Sequence, residues 1–159
     1  MLKNKNQGFT FIELLLVILI LGVLASLIIV NLRPGQRLAA SRNQQRQADV
    51  ASILNAIKQY GFDNNGTLPS TIQTDSNCLV PATFAEICKT GTVQLTCLGA
   101  NTIPLLDLTN NSKYLVSIPI DPSSTSTYGT GYNVVKDANS RVTVCAKLAE
   151  NGVTISLTR

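Results

Sequence analysis

The feature that most constrains this chain is an apolar run near its N-terminus. Residues 9–30 hold 18 apolar residues out of 22, and Lys3 and Lys5 precede the run. Residues 9–32 would form a helix of about 36 Å, which exceeds the roughly 30 Å hydrocarbon core of a bilayer. A secretory signal peptide has a shorter apolar core followed by small residues, whereas Ala25–Ser26 lies inside this run. The run therefore predicts a membrane helix that survives maturation.

The composition excludes several functional classes. The 159 residues contain no histidine, so Ser-His-Asp and Cys-His catalysis and histidine metal sites are excluded. The net charge of +4 is not concentrated in the dense basic stripe that nucleic-acid binders usually carry. No spacing pairs a nucleophile with a general base, so we do not expect an enzyme.

Glu13 is the one acidic residue in the apolar run. An ionised carboxylate inside a bilayer costs several kcal/mol unless it is paired. One interpretation places Glu13 among the lipid headgroups, where water solvates it. The other gives it a cationic partner, and a free amine at Phe9, made by cleavage after Gly8, would supply one.

The segment Gly8-Phe9-Thr10-Phe11-Ile12-Glu13-Leu14 resembles the processing site of type IV pilins and type II secretion pseudopilins. The resemblance implies that a membrane-embedded prepilin peptidase cuts after Gly8 and that the new N-terminal Phe9 is N-methylated. It also implies that Glu13 is the residue that guides assembly. Residues 47–70 and 113–122 resemble the family as well, although the tryptophan that major pseudopilins usually place after Asp121-Pro122 is missing.

The predicted fold is α+β and type IV pilin-like, with a long N-terminal helix packed on a small antiparallel sheet. We expect a leader over residues 1–8 and a long helix over residues 9–61. Residues 9–32 of this helix would form the membrane or filament core, and residues 36–61 would pack on the sheet. A globular head with a loop region and a C-terminal β-meander would follow over residues 62–159.

Local signals refine this outline. Pro34-Gly35 should interrupt the helix, and Gly61 is expected to cap its end. Five apolar residues at helical spacing should face the sheet: Val50, Ile53, Leu54, Ile57 and Tyr60. A short helix is expected near Leu105–Leu108, and strands are expected at Thr130–Lys136, Arg141–Leu148 and Val153–Leu157.

The polar stretch from Arg37 to Gln47 is interpreted as a solvated stem. Two alternatives remain for Arg37, Arg42 and Arg46, namely contacts between subunits and contacts with nucleic acid. No aromatic residues interleave to stack on bases, which weakens the second alternative.

Four cysteines in an exported domain indicate two disulfides. Three pairings exist, and we favour Cys88–Cys97 as a local link and Cys78–Cys145 as a link from the loop to the outer sheet face. A zinc site is disfavoured because the spacing lacks close cysteine pairs. No cofactor is expected. A calcium ion held by Asp107, Asp121 and Asp137 is a weaker hypothesis, since Asp121 and Asp137 also suit turns.

The leading functional hypothesis is a structural pilin that polymerises through its N-terminal helix. The alternatives are a type II secretion pseudopilin and a minor pilin that binds DNA for uptake. The expected partners are further copies or other pilins, the prepilin peptidase and N-methyltransferase, and an inner-membrane assembly platform. The chain would be a single-pass inner-membrane protein before it joins an extracellular filament.

Overall fold

The computed structural model describes residues 8–31 and 34–159. The chain divides into two compact units, Met1–Arg37 and Leu38–Arg159. The predicted leader falls almost wholly on residues 1–7, which lie outside the described residues. Two helices are described, α1 over Phe11–Asn31 and α2 over Pro34–Asp63, and the break predicted at Pro34-Gly35 is wrong because both residues belong to the first turn of α2. Pro34 occupies the first position of α2, where a missing N–H costs no intrahelical bond.

Helix α2 ends later than the sequence predicted, and Gly61 is not its cap. Asn65 adopts a left-handed conformation with φ of 54°. The N–H of Gly66 donates to the carbonyl of Gly61 at 2.8 Å, five residues back. This is the bonding pattern of a Schellman cap, in which the residue after the helix end turns left-handed. The asparagine therefore ends the helix, and Gly61 lies within its last turn.

The second unit contains a four-stranded antiparallel sheet in the order β1-β2-β3-β4. Its strands are β1 Glu86–Cys88, β2 Gly129–Lys136, β3 Val142–Ala146 and β4 Ser156–Thr158. The short helices α3 Gln94–Gly99 and α4 Leu106–Thr109, with a 3₁₀ turn at Asn110–Ser112, lie between β1 and β2. The α+β fold and the C-terminal meander are confirmed, whereas β1 and α3 were not predicted.

The core lies between α2 and one face of the sheet. Val50, Ile53, Leu54 and Ile57 of the predicted helix stripe are all buried there, together with Val142, Val144 and Ala146 of β3. The opposite sheet face carries a smaller cluster formed by Cys78, Ala85, Val135 and Cys145. Strand β3 thus presents alternate residues to two buried layers, as its period-two pattern predicted.

Candidate functional site

The proposed cleavage point lies in exposed backbone ahead of α1. Gly8, Phe9 and Thr10 are not helical, and 81% of Phe9 is exposed. A peptidase requires an accessible peptide outside regular helix, whereas a helix would have to unwind first. The predicted site residues Gly8 and Phe9 therefore occupy a segment that suits hydrolysis.

Thr10 caps α1 and thereby places Glu13. The Glu13 N–H donates to Thr10 Oγ1 at 3.3 Å, three residues apart. The spacing Thr-x-x-Glu is that of a capping box, in which the helix N-terminus favours a carboxylate at its third position. This local signal, Thr10-x-x-Glu13, was not among the predictions from the sequence. No side-chain cation pairs with Glu13 within the described part of the chain.

Helix α1 is apolar on every side. It is long and apolar enough to cross a membrane, and nothing in the segment Phe11–Ile28 is buried. A helix without a polar face is stable only where apolar surroundings cover it all round. The side chain of Glu13 is the exception within its first turn. A lone carboxylate near the N-terminus of such a helix needs a cationic partner once water is removed.

Most residues of the polar stretch of α2 are exposed, as a solvated stem predicts, but Asn43 and Arg46 are buried against the rest of the head and depart from that interpretation. Arg46 is fully buried, and its guanidinium donates to Asp121 at 2.7 and 3.0 Å. It also donates at 2.8 Å to Glu150, Asn43 and Ser123. The residues of this set form what we call the arginine network. It joins α2 to the loop before β2 and to the turn between β3 and β4.

Arg42 extends the arginine network at its exposed edge. Its guanidinium donates to both carboxylate oxygens of Glu150, at 2.6 and 2.7 Å. The hydrogen bonds from Arg42 and Arg46 lower the pKa of Glu150 from its usual 4.5 to about 2. The hydrogen bond to Asp121 raises the pKa of Arg46 further above its ordinary range. Two of the three arginines considered for nucleic-acid contact are therefore already paired with carboxylates of this chain.

The three candidate calcium ligands, Asp107, Asp121 and Asp137, do not form a common site. The Asp121 carboxylate accepts a hydrogen bond from the Arg46 guanidinium. The Asp137 carboxylate accepts hydrogen bonds from the backbone N–H and the guanidinium of Arg141. Asp107 lies in the first turn of α4. Across residues 8–31 and 34–159, no group of three or more acidic or cysteine side chains is placed to hold a metal ion. At Asp121, the guanidinium stands where a cation would have to bind.

Two disulfides close the head, and they are the two pairs favoured from the sequence. Cys78–Cys145, here called the outer-face disulfide, ties the loop after α2 to β3. Cys88–Cys97, here called the loop disulfide, ties β1 to α3. Both are buried, so the covalent links reinforce segments that have little regular secondary structure of their own. Such links suit a small domain that must stay folded outside the cell.

Two comparisons relate this chain to known proteins. The prokaryotic N-terminal methylation motif matches residues 3–29. Type II secretion system core protein G of Aeromonas hydrophila is 40% identical over 73 residues, which cover 46% of this chain and 49% of that protein. The same protein of Pectobacterium carotovorum subsp. carotovorum is 45% identical over 69 residues, covering 43% of this chain and 42% of the relative.

The chain spans about half the length of the curated relatives that it matches, between 41% and 56%. No solved structure gives a significant match. Every residue of the arginine network lies outside the methylation motif, and three of them are in the C-terminal half of the chain.

Proposed function

We propose that the protein is a structural subunit of a pilus-like filament, because residues 3–29 match the prokaryotic N-terminal methylation motif and part of the chain is similar to type II secretion system core protein G. The observation that carries the proposal is the methylation motif over residues 3–29, joined to a helix that is apolar all round. Such a helix serves both as a membrane anchor before assembly and as the packed core of a filament afterwards. In this role the protein is a building block and not an enzyme.

Processing prepares the helix for this exchange. Hydrolysis of the Gly8–Phe9 peptide removes the leader with Lys3 and Lys5 and leaves a free amine on Phe9. N-methylation keeps that amine protonated and therefore cationic. In the apolar filament core, the Phe9 ammonium of one subunit would pair with the Glu13 carboxylate of its neighbour. The low dielectric strengthens the attraction, so the pair fixes the register between helices.

The head supports the same role from outside the membrane. Its disulfides and its arginine network hold the loops to α2 without a bound cofactor. We infer that the inner-membrane subunit meets a prepilin peptidase, an assembly platform and further pilin subunits. Once assembled, its head would lie on the filament surface, beyond the inner membrane.

Between the members of this class, the relatives favour the secretion branch. The proteins that match are each named type II secretion system core protein G. The missing tryptophan after Asp121-Pro122 argued for a surface pilus instead. A short secretion filament is therefore a candidate of equal standing, supported by the names of these relatives. The DNA-binding alternative is disfavoured, because Arg42 and Arg46 already form ion pairs with Glu150 and Asp121.

A pair of substitutions tests the proposal in cells that lack the native gene copy. Gly8→Leu should leave an uncleaved chain in the membrane, whereas Glu13→Gln should be cleaved and methylated but excluded from filaments. Sheared surface material and membranes are compared by immunoblot, and non-reduced mobility shows that both disulfides have formed. A Glu13→Gln chain that assembles like the native chain would contradict the role given to Glu13. A processed native chain that stays in membranes would favour the secretion filament.

A further inference from the structure

The C-terminal end of α2 presents two different surfaces on opposite sides. Successive helical residues are 100° apart, so residues two apart in sequence project in nearly opposite directions. Lys58 and Phe62 therefore lie on one side, and Tyr60 and Asn64 lie on the other. Ile57 and Gly61 between them face the interior. Each surface borders its own groove.

The first surface, here called the Phe62 surface, consists of Lys58 and Phe62. The phenylalanine is 85% exposed, although it sits beside a groove of about 370 Å³ that Leu68 and Ser140 also line. Lys58 is exposed and makes no ion pair with the described residues. An exposed aromatic ring beside an unpaired cation is a pattern that interfaces use.

The second surface, here called the tyrosine groove, has a volume of about 410 Å³. Tyr60 and Tyr114 line it edge-to-face, with ring centroids 5.7 Å apart. Lys113 at its rim is already paired with Asp63 at 2.9 Å. Asp107 also lines the groove, and it has no hydrogen bond or ion pair within the part of the chain that the structure describes. The groove therefore offers aromatic edges and one unpaired negative charge.

We propose that the Phe62 surface of one subunit docks into the tyrosine groove of the next copy of this chain. The inference rests on the proposed function, because it supplies a head-to-head contact for the same filament. Phe62 would meet Tyr60 and Tyr114, and Lys58 would meet Asp107. Since the two surfaces are different and lie on opposite sides, the contact is heterologous and repeats along an open polymer. Both lie at one end of α2, so parallel subunits present them at similar heights, offset by the shift of about one helical turn that the Phe9–Glu13 pair requires.

Exposure alone does not select these residues. Leu95 on α3 is 80% exposed, yet it lines neither groove. What distinguishes Phe62 is the complementary site on the opposite side of the same helix, with matching aromatic character and opposite charge. A second copy is therefore the occupant that this pair of surfaces fits.

Photocrosslinking in the full-length chain tests the contact. Phe62 is replaced by p-benzoylphenylalanine, cells are irradiated, and crosslinked peptides are identified by mass spectrometry. We expect dimers in which position 62 is joined to the tyrosine groove, at Tyr60 or within residues 107–114 of another copy. The same probe at Leu95 is the control and should give at least about fivefold fewer dimers. Crosslinks from position 62 to another region or to a different protein would overturn the proposal.

A third probe at Leu19 in α1 separates this inference from the proposed function. Dimers through position 19 without dimers through position 62 would refute the head contact and leave the filament intact. Dimers at neither position would refute both. Charge exchange then tests the pairing: with the probe at 62, Lys58→Glu or Asp107→Lys should each lower the dimer yield about fivefold. The double variant Lys58→Glu/Asp107→Lys should restore the dimer yield, whereas the control Lys136→Glu should leave it unchanged. A double variant whose dimer yield stays low would contradict the Lys58–Asp107 pair.

Discussion

Replacement of Arg46 by methionine is expected to destabilise the head strongly. Methionine keeps an unbranched stem of similar length and removes the guanidinium. The five hydrogen bonds that Arg46 donates are lost with it. Asp121, only 2% exposed, would then be a buried carboxylate without its cation. The N–H of Ser123, which donates to it at 2.7 Å, would remain.

The magnitude follows from the cost of an unpaired buried charge. Removal of one partner from a buried ion pair typically costs about 3–5 kcal/mol. For a unit of this size, each kcal/mol lowers the melting temperature by about 4 °C. Arg46→Met should therefore melt about 12–20 °C below the native chain. The double variant Arg46→Met/Asp121→Leu should recover part of this loss, because neither charge of the pair is left behind.

The assay is thermal unfolding of the full chain in detergent, followed by the near-ultraviolet circular dichroism of its tyrosines. Tyr132 is buried in the head and reports its packing. Arg37→Met is the matched control, because Arg37 is an exposed arginine near the start of the same helix. It should change the stability by less than about 0.5 kcal/mol. If Arg46→Met lost less than about 1 kcal/mol, the arginine network would not be what holds α2 to the C-terminal segments.

Three further perturbations have definite expected results. Serine replacement of the outer-face disulfide should cost about 4 kcal/mol and of the loop disulfide about 3, because their loops span 67 and 9 residues; equal losses in denaturant titrations would contradict the loop-length argument. Stability should be flat from pH 8 to about 5 and fall between pH 4.5 and 2, since the lowered pKa of Glu150 makes its contribution complete only above that range; Glu150→Gln should make this fall shallower, while the lowered pKa values of Asp63, Asp75 and Asp137 leave a remainder. Gly131→Ala should cost at least about 2 kcal/mol, because φ is 89° and a Cβ would lie 2.7 Å from that of Asp121, whereas Gly152→Ala meets no neighbouring atom; similar melting of both variants would refute the steric part.

The sequence predicted the elements whose patterns are periodic. The stripe from Val50 to Ile57 and the alternation in β3 each repeat over several residues, and both faces of β3 were identified. The end of α2 was placed too early because Gly61 is the stronger single-residue signal. The Asn65–Gly66 turn overrides it, since the cap depends on a bond five residues back.

The arginine network could not be predicted from local patterns. Arg46 lies between Gln45 and Gln47 in a polar stretch, and its partners are 75 and 104 residues further along the chain. Nothing near Arg46 in sequence marks it as buried, because its burial depends on where the distant acids fold. The strand β1 was missed for a related reason. Its three residues pair with β2 across more than forty residues and show no period of their own.

The N-terminal motif could be identified from the sequence because its residues lie close together in the chain. Gly8, Phe9 and Glu13 stand at fixed spacing before an apolar run. The cap formed by Thr10 was equally local and was overlooked. The surfaces at the end of α2 required the structure, since Asp107 and Tyr114 reach the helix only through the fold of the loop region.

The most direct test of the filament role is the intact, non-reduced mass of this chain in filaments sheared from the cell surface. The account predicts a chain that begins at monomethylated Phe9 and is four hydrogens lighter than its reduced form. That single mass would report leader cleavage, methylation and both disulfides in assembled material. A chain that still begins at Met1 would contradict the account and would leave a plain membrane anchor in its place.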